Sequence, residues 1–130
     1  MINTHADVTH LLEDLLNTPR TRSVVLLSAD GLAKSWAGIE TGAAETLAAL
    51  ASSVFSLATQ SSKTFGTGGP TRQIAIDNDG SLLLITAGGH GSVLVVVADE
   101  DVETGLLAYA MLDLTKKVPA QFATPARPLS

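Results

Sequence analysis

The side chains of this chain that could do chemistry include three histidines and a serine beside one of them. His5, His10 and His90 are far apart in the sequence, and no third metal ligand accompanies the first two. His90 and Ser92 flank Gly91, but no carboxylate close in sequence could orient the histidine as a general base for the serine. We therefore interpret the histidines as solvent-exposed side chains, and we predict no catalytic residue and no metal site.

Two glycine-rich segments could in principle cradle a phosphate group. Residues 66–71 (Gly-Thr-Gly-Gly-Pro-Thr) lack the Gly-Lys-Ser/Thr ending of a nucleotide-binding P-loop. Residues 88–91 (Gly-Gly-His-Gly) lead into a strand-like run and not into the helix N-terminus that binds phosphate. The sequence therefore predicts no bound nucleotide and no cofactor.

Two acidic segments could hold a hard cation such as calcium. Residues 77–80 (Asp-Asn-Asp-Gly) resemble the start of a calcium loop, but the EF-hand register would need acids where Ala75 and Thr86 stand. A solvated hairpin turn fits them better. The second segment precedes an apolar helical pattern, so we expect its carboxylates in the first helical turn, where the helix dipole favours them. Its members are Asp99, Glu100, Asp101 and Glu103.

The composition of the 130 residues limits the classes of partner. Charged residues make up 16% of the chain and apolar residues 45%, which indicates a surface partly covered by another protein. The net charge of −5 and the scattered lysines and arginines argue against nucleic acid as a partner. There is no cysteine and no apolar run long enough to span a membrane. We therefore expect a cytoplasmic protein without membrane insertion, which partners could recruit to a membrane.

Tight glycine turns between apolar runs set the order of the strands. Asp-Gly between such runs is a strong hairpin signal, because these turns need a positive φ angle. Asp30-Gly31, Asp79-Gly80 and residues 88–91 join strands predicted at 23–29 and 32–36, and at 73–77, 81–87 and 92–98. Helices are predicted from 8 to about 17 with Asp7 as N-cap, from 42 to 64 with Thr41 as N-cap, and from about 101 to 117.

The element order α-β-β-α-β-β-β-α predicts one antiparallel sheet between helical layers, an α/β (α+β) three-layer sandwich. The runs 82–85 and 93–97 are apolar throughout, which is typical of interior strands covered on both faces. The predicted strand order is therefore 2-1-5-4-3, with 32–36 and 73–77 at the edges. We predict one domain over residues 1–118 and a disordered proline-containing tail over 119–130.

The predicted helix 42–64 carries only two charged residues, Glu45 and Lys63. One face is predicted to pack on the sheet through Leu47, Leu50, Ala51, Val54, Leu57 and Ala58. The opposite face is mostly small and neutral, which allows close approach of another helix. We predict that this face, with the edge strand 73–77, forms a dimer or partner interface. Its predicted residues are Glu45, Ala49, Ser52, Ser53, Ser56, Gln60, Gln73 and Ala75.

These landmarks resemble the Roadblock (dynein light chain) family, especially bacterial members encoded beside small Ras-like GTPases. The resemblance covers about residues 7–118. It rests on Val-Leu-Leu-Ser-Ala-Asp-Gly-Leu at 25–32, the long Ala/Ser helix, the runs 83–87 and 92–98 around the glycine turn, and Ala-Tyr-Ala-Met at 108–111. The proline-bearing tail and the low charge are also similar to actinobacterial members from conservon operons, which contain a sensor-kinase-like protein and a GTPase.

The resemblance implies a homodimer that binds a small Ras-like GTPase and acts as a scaffold or regulator of its nucleotide cycle. It further implies that the protein supplies no arginine finger and instead reshapes the switch regions of the GTPase, and it includes a sensor-kinase-like protein as a further partner. A second hypothesis, from another class, is a small-ligand sensor with a similar profilin-like shape. That hypothesis needs a polar-lined cavity between helix and sheet, and an enzyme ranks third.

Overall fold

The computed structural model describes residues 4–118, and the predicted tail at 119–130 lies outside the described residues. Three helices and five strands follow the predicted order, with a short 3₁₀ turn at Gly89–Gly91 before the last strand. The elements are α1 (Thr4–Leu16), β1 (Thr21–Leu27), β2 (Ala33–Ala37), α2 (Thr41–Phe65), β3 (Gln73–Asn78), β4 (Ser81–Ala87), β5 (Val93–Ala98) and α3 (Thr104–Thr115).

The five strands form one antiparallel sheet in the order β2-β1-β5-β4-β3, which confirms the predicted topology. β1 lies between β2 and β5 and pairs Val25 with Trp36 on one side and with Val95 on the other. The side chains of β1 from Val24 to Leu27 are all buried, because this strand has helices over both of its faces. β2 and β3 are the two edge strands, as predicted.

The sheet divides the hydrophobic core into two clusters, one on each of its faces. α1 and α3 pack on one face of the sheet, where Leu12 and Met111 join the alternate strand residues Leu26, Leu84 and Leu94. α2 packs on the other face against the intervening strand residues, including Val25, Leu27, Ile85 and Val95. Successive side chains of each strand point to opposite faces of the sheet, so each helical layer packs on its own half of the core. The predicted three-layer sandwich is confirmed.

The glycines of the predicted hairpin turns have the backbone conformation that the prediction required. Gly31 has φ +85° and Gly80 has φ +91°, in the left-handed region that glycine enters without steric cost. In the third turn, His90 (φ +64°) and Gly91 (φ +88°) are both left-handed. This turn therefore holds one non-glycine residue in a conformation that is uncommon for it.

Two predicted helix caps are wrong. α1 begins at Thr4, so Asp7 lies inside the helix; no glycine or proline interrupts residues 4–7. α2 has Glu40 as its N-cap, with extended backbone and no capping hydrogen bond from the side chain, and Thr41 is the first helical residue. In both cases the helix begins at or before the residue that has the better capping side chain. The sequence specifies the ends of a helix less strongly than its interior.

The prediction that the acidic segment before α3 forms the first turn of that helix is also wrong. α3 begins at Thr104 and has no acidic residue in its first turn, with Glu103 as an N-cap that makes no side-chain hydrogen bond. Two of the carboxylates instead form ion pairs at the end of the sheet where β1 begins and β5 ends. Arg22 donates to Asp99, and Arg20 lies 3.1 Å from Asp101. These pairs hold the β5–α3 loop beside the start of β1.

Candidate protein-interaction surface

The chemistry-bearing residues do not come together in the part of the chain that the structure describes. His10 and His90 are exposed, and Ser92 is buried. Among the side chains that the structure describes, which exclude those of residues 4–7, no three histidine, aspartate or glutamate residues form a group that could hold a metal ion. The surface of α2, which the sequence singles out by its low charge, is the candidate functional site.

α2 is held on the sheet by a narrow stripe of four buried side chains, three of which are alanines. Ala44, Leu47, Ala48 and Ala51 are its buried residues, at the spacing i, i+3, i+4, i+7 of one helical face. Alanine brings the helix close to the sheet because its side chain is a single methyl group. α2 has 25 residues, yet no helix of residues 4–118 combines the length and hydropathy needed to cross a membrane.

Two leucines predicted on the sheet-facing side of α2 are exposed instead. Leu50 is 57% exposed and Leu57 is 71% exposed, so their assignment to the buried face is wrong. Leu50 immediately precedes the buried Ala51 and so lies about 100° away from it around the helix. Val54, from the same predicted face, is half-buried against the sheet cluster. The alanines fill the contact with the sheet, and the leucines form an apolar flank of α2, defined by Leu50 and Leu57.

Most of the α2 residues predicted for an interface lie on its exposed face. Glu45, Ala49, Ser53, Ser56 and Gln60 are exposed. The hydroxyl of Ser53 donates to the carbonyl oxygen of Ala49 at 3.0 Å, so this polar group already has a partner within the helix. A surface of this kind needs little desolvation when a partner covers it.

Ser52 differs from the other predicted residues of this face because it is half-buried. Its Oγ lies 3.0 Å from the position that a Cβ atom would take at Gly31. Ser52 therefore lies where α2 passes over the β1–β2 turn, at the margin of the exposed face. A larger side chain at position 31 would push against it.

The structure does not place the predicted β3 residues on the α2 side of the sheet. Ala75 pairs with Leu84, which belongs to the cluster under α1 and α3, so Gln73 and Ala75 face that layer. Gln73 donates to the hydroxyl of Thr86 at 3.3 Å. The alternate residues Ile74 and Ile76 are half-buried on the α2 side. The edge of β3 thus borders both layers of the molecule.

Leu50 and Leu57 were not predicted as surface residues, and neither was Phe65 at the end of α2. A signal for them was present. Leu50 and Leu57 are seven residues apart, and Ala44, Ala48 and Ala51 define a complete buried stripe without them. Reading the alanines as the sheet contact would have left the leucines on the outside.

Comparison with known proteins gives the family of the chain. A family model of the Roadblock/LC7 domain matches residues 7–98. The crystal structure of a Roadblock/LC7 domain from Streptomyces avermitilis is 39% identical, with a TM-score of 0.83 over 85% of this chain and 92% of that one. Comparison with curated proteins gave no match.

More distant structures share the fold. MglB from Myxococcus xanthus is 18% identical, with a TM-score of 0.79 over 93% of this chain and 90% of that one. Profilin IA from Acanthamoeba castellanii is also 18% identical, with a TM-score of 0.58 over 88% of this chain and 98% of that one. The arrangement of sheet and helices is therefore profilin-like, and the family match and the Streptomyces structure together show that this chain belongs to the Roadblock/LC7 family.

Proposed function

We propose that this protein is a homodimeric, non-enzymatic regulator or scaffold of a small Ras-like GTPase in the cytoplasm. The observation that carries the proposal is the exposed face of α2, which is long, nearly uncharged and bordered by exposed leucines. Membership of the Roadblock/LC7 family supports it, because resemblance to bacterial members of this family implies a GTPase partner. Within this proposal, the protein acts by contact and contributes no catalytic side chain.

The apolar flank of α2 supports the homodimer. Leu50 and Leu57, with the small residues Ala49 and Ser53 beside them, would pack against the same flank of a second copy. The edge strand β3, with Gln73 and Ala75, would pair with its counterpart and continue the sheet across the two-fold axis. Both contacts cover surfaces that a single copy leaves to solvent.

The other flank of the exposed face supports the GTPase contact. Glu45, Ser52 and Ser56 lie on the side of α2 away from the two leucines, and Gln60 lies between Ser56 and Leu57 on the exposed face. In a dimer the two α2 helices would together offer one composite surface, and we expect one GTPase to bind per dimer. The switch regions of a small GTPase change between its GTP and GDP states. We therefore expect binding to depend on the nucleotide.

One feature of the structure supports the second hypothesis, a small-ligand sensor. A cavity of about 310 Å³ lies between α2 and one end of the sheet, and Ser28, Ser52 and Ser56 are among its lining residues. The cavity is open to the surface and is at the small end for a dedicated ligand site. A sensor would bind a small molecule there without any GTPase.

The test uses purified Ras-like GTPases from the source organism of the chain, each loaded with a non-hydrolysable GTP analogue or with GDP. Biolayer interferometry against the wild-type protein should give saturable binding by one of them, stronger in one nucleotide state. The double variant Ser56→Arg/Gln60→Glu should bind at least about tenfold more weakly, because it puts two charged side chains into the contact, and their desolvation is costly even where they pair with each other along the helix.

A matched control changes exposed residues in the opposite layer. His10→Arg/Asn17→Glu adds the same two charges beside α1 and should bind like the wild type. Undiminished binding by the α2 variant would place the GTPase contact elsewhere. If none of the GTPases binds, the proposed function is wrong and the ligand-sensor hypothesis is favoured.

A further inference from the structure

The cavity between α2 and the sheet lies at the end of the sheet where two turns meet the helix. Its apolar lining comes from Leu27, Phe55 and Val93, and its polar lining from Ser28, Ser52 and Ser56. Leu27 and Val93 belong to the neighbouring strands β1 and β5, so the floor of the cavity is the hydrophobic core itself. The cavity therefore offers an entry from the surface to buried apolar side chains.

The cavity exists because small residues meet there from three elements. α2 contributes serines at positions 52 and 56, and the β1–β2 turn contributes Ala29. Gly91 borders it from the β4–β5 turn in a left-handed conformation, with its Cβ position 3.6 Å from the Cβ of Ala29. A larger side chain at Ala29 or Ser52 would fill space that is now open.

The lining excludes a charged occupant. None of the residues lining this cavity carries a charge, so an ion entering it would lose hydration without gaining a counter-charge. The hydroxyl of Ser28 is buried and already donates to the Asp30 carboxylate. The remaining hydroxyls belong to Ser52 and Ser56 at the rim. An apolar group that reaches the floor fits this distribution.

The cavity is continuous with the proposed GTPase contact, because Ser56 belongs to both. A protein lying on this flank of α2 would cover the mouth of the cavity. Protein interfaces usually depend on a few anchor side chains that fill well-packed pockets. We propose that this cavity receives one apolar side chain of the bound GTPase, of the size of leucine or phenylalanine, as the anchor of the complex. This inference rests on the proposed function.

The test fills the cavity in two independent ways. Ser52→Leu adds bulk from the helix, and Ala29→Phe adds it from the turn, outside α2. Each variant should bind the GTPase at least about tenfold more weakly in the interferometry assay, because the anchor no longer fits. Each should still sediment as the wild-type protein does. Asn17→Leu, in the opposite layer, adds an exposed leucine away from the cavity and should bind normally.

A second readout follows the floor of the cavity directly. In methyl NMR spectra, the resonances of Val93 and Leu27 should shift when the GTPase is added, whereas those of Leu12 in the opposite cluster should not. Binding by the wild type that both filled variants retain, with unshifted Val93 methyls, would overturn this inference and leave the proposed function standing. If no GTPase binds the wild type, the proposed function itself fails.

Discussion

Replacing Leu57 by glutamine tests the homodimer most sharply. Leu57 is 71% exposed in a single copy, so the substitution removes little that holds the monomer together. Complete burial of a leucine side chain contributes about 1.5–3 kcal/mol, and the exposed share of Leu57 corresponds to about 1–2 kcal/mol. A two-fold interface buries this residue twice, so we expect the dimer to lose about 2–4 kcal/mol, which is about a 30- to 1000-fold rise in its dissociation constant.

Sedimentation velocity over a concentration series measures this change. The wild type should be dimeric at micromolar concentration, and Leu57→Gln should be largely monomeric there with an unchanged far-ultraviolet circular dichroism spectrum, since loss of the dimer alone lowers the melting temperature. Leu106→Gln is the matched control, because Leu106 is a comparably exposed leucine (51%) on α3, in the opposite layer. It should leave the dimer intact. A monomeric wild type, or dimers that persist in Leu57→Gln and dissociate in Leu106→Gln, would refute the reasoning.

Three further predictions concern the interface, the chemistry and the fold. Ser53→Glu should weaken the dimer in the same sedimentation assay, because an unpaired carboxylate would be desolvated at the helix contact. Isothermal titration of the purified protein with GTP or ATP should show no saturable micromolar binding, since neither glycine loop has the sequence of a phosphate cradle. Gly88→Ala should destabilise the fold by about 1–3 kcal/mol in urea unfolding, because a Cβ atom there would lie 2.4 Å from the Oγ of Ser92. Gly105→Ala, where no atom lies within 4 Å of the added Cβ, should be neutral or slightly stabilising.

The sheet was predictable from sequence because its signals are local and strong. The Asp-Gly turn at residues 30 and 31 fixes one hairpin, and the glycines at 80 and 91 fix the other two through their positive φ angles. The uninterrupted apolar runs of β4 and β5 required covered interior positions, which determined the strand order. These features depend on backbone sterics and burial, which a single sequence expresses directly.

The errors in the helices have a different cause. Tertiary packing determines which stripe of a helix faces the sheet. In α2 this stripe consists mostly of alanines, because their small side chains allow the helix to approach the sheet closely. Leu50 and Leu57 were therefore assigned inward by hydrophobicity and lie outward in the structure. The carboxylates of Asp99 and Asp101 similarly pair with arginines near β1, a long-range contact that the helix-dipole rule does not include.

The mass of the complex tests the central proposal most directly. Native mass spectrometry of the protein mixed with its GTPase, loaded with the preferred nucleotide, should give a species of two 13.4-kDa chains and one GTPase. The same mixture with Ser56→Arg/Gln60→Glu should give the dimer and the free GTPase. A complex with a single copy of this chain, or the absence of any complex with every Ras-like GTPase of the source organism, would contradict the account.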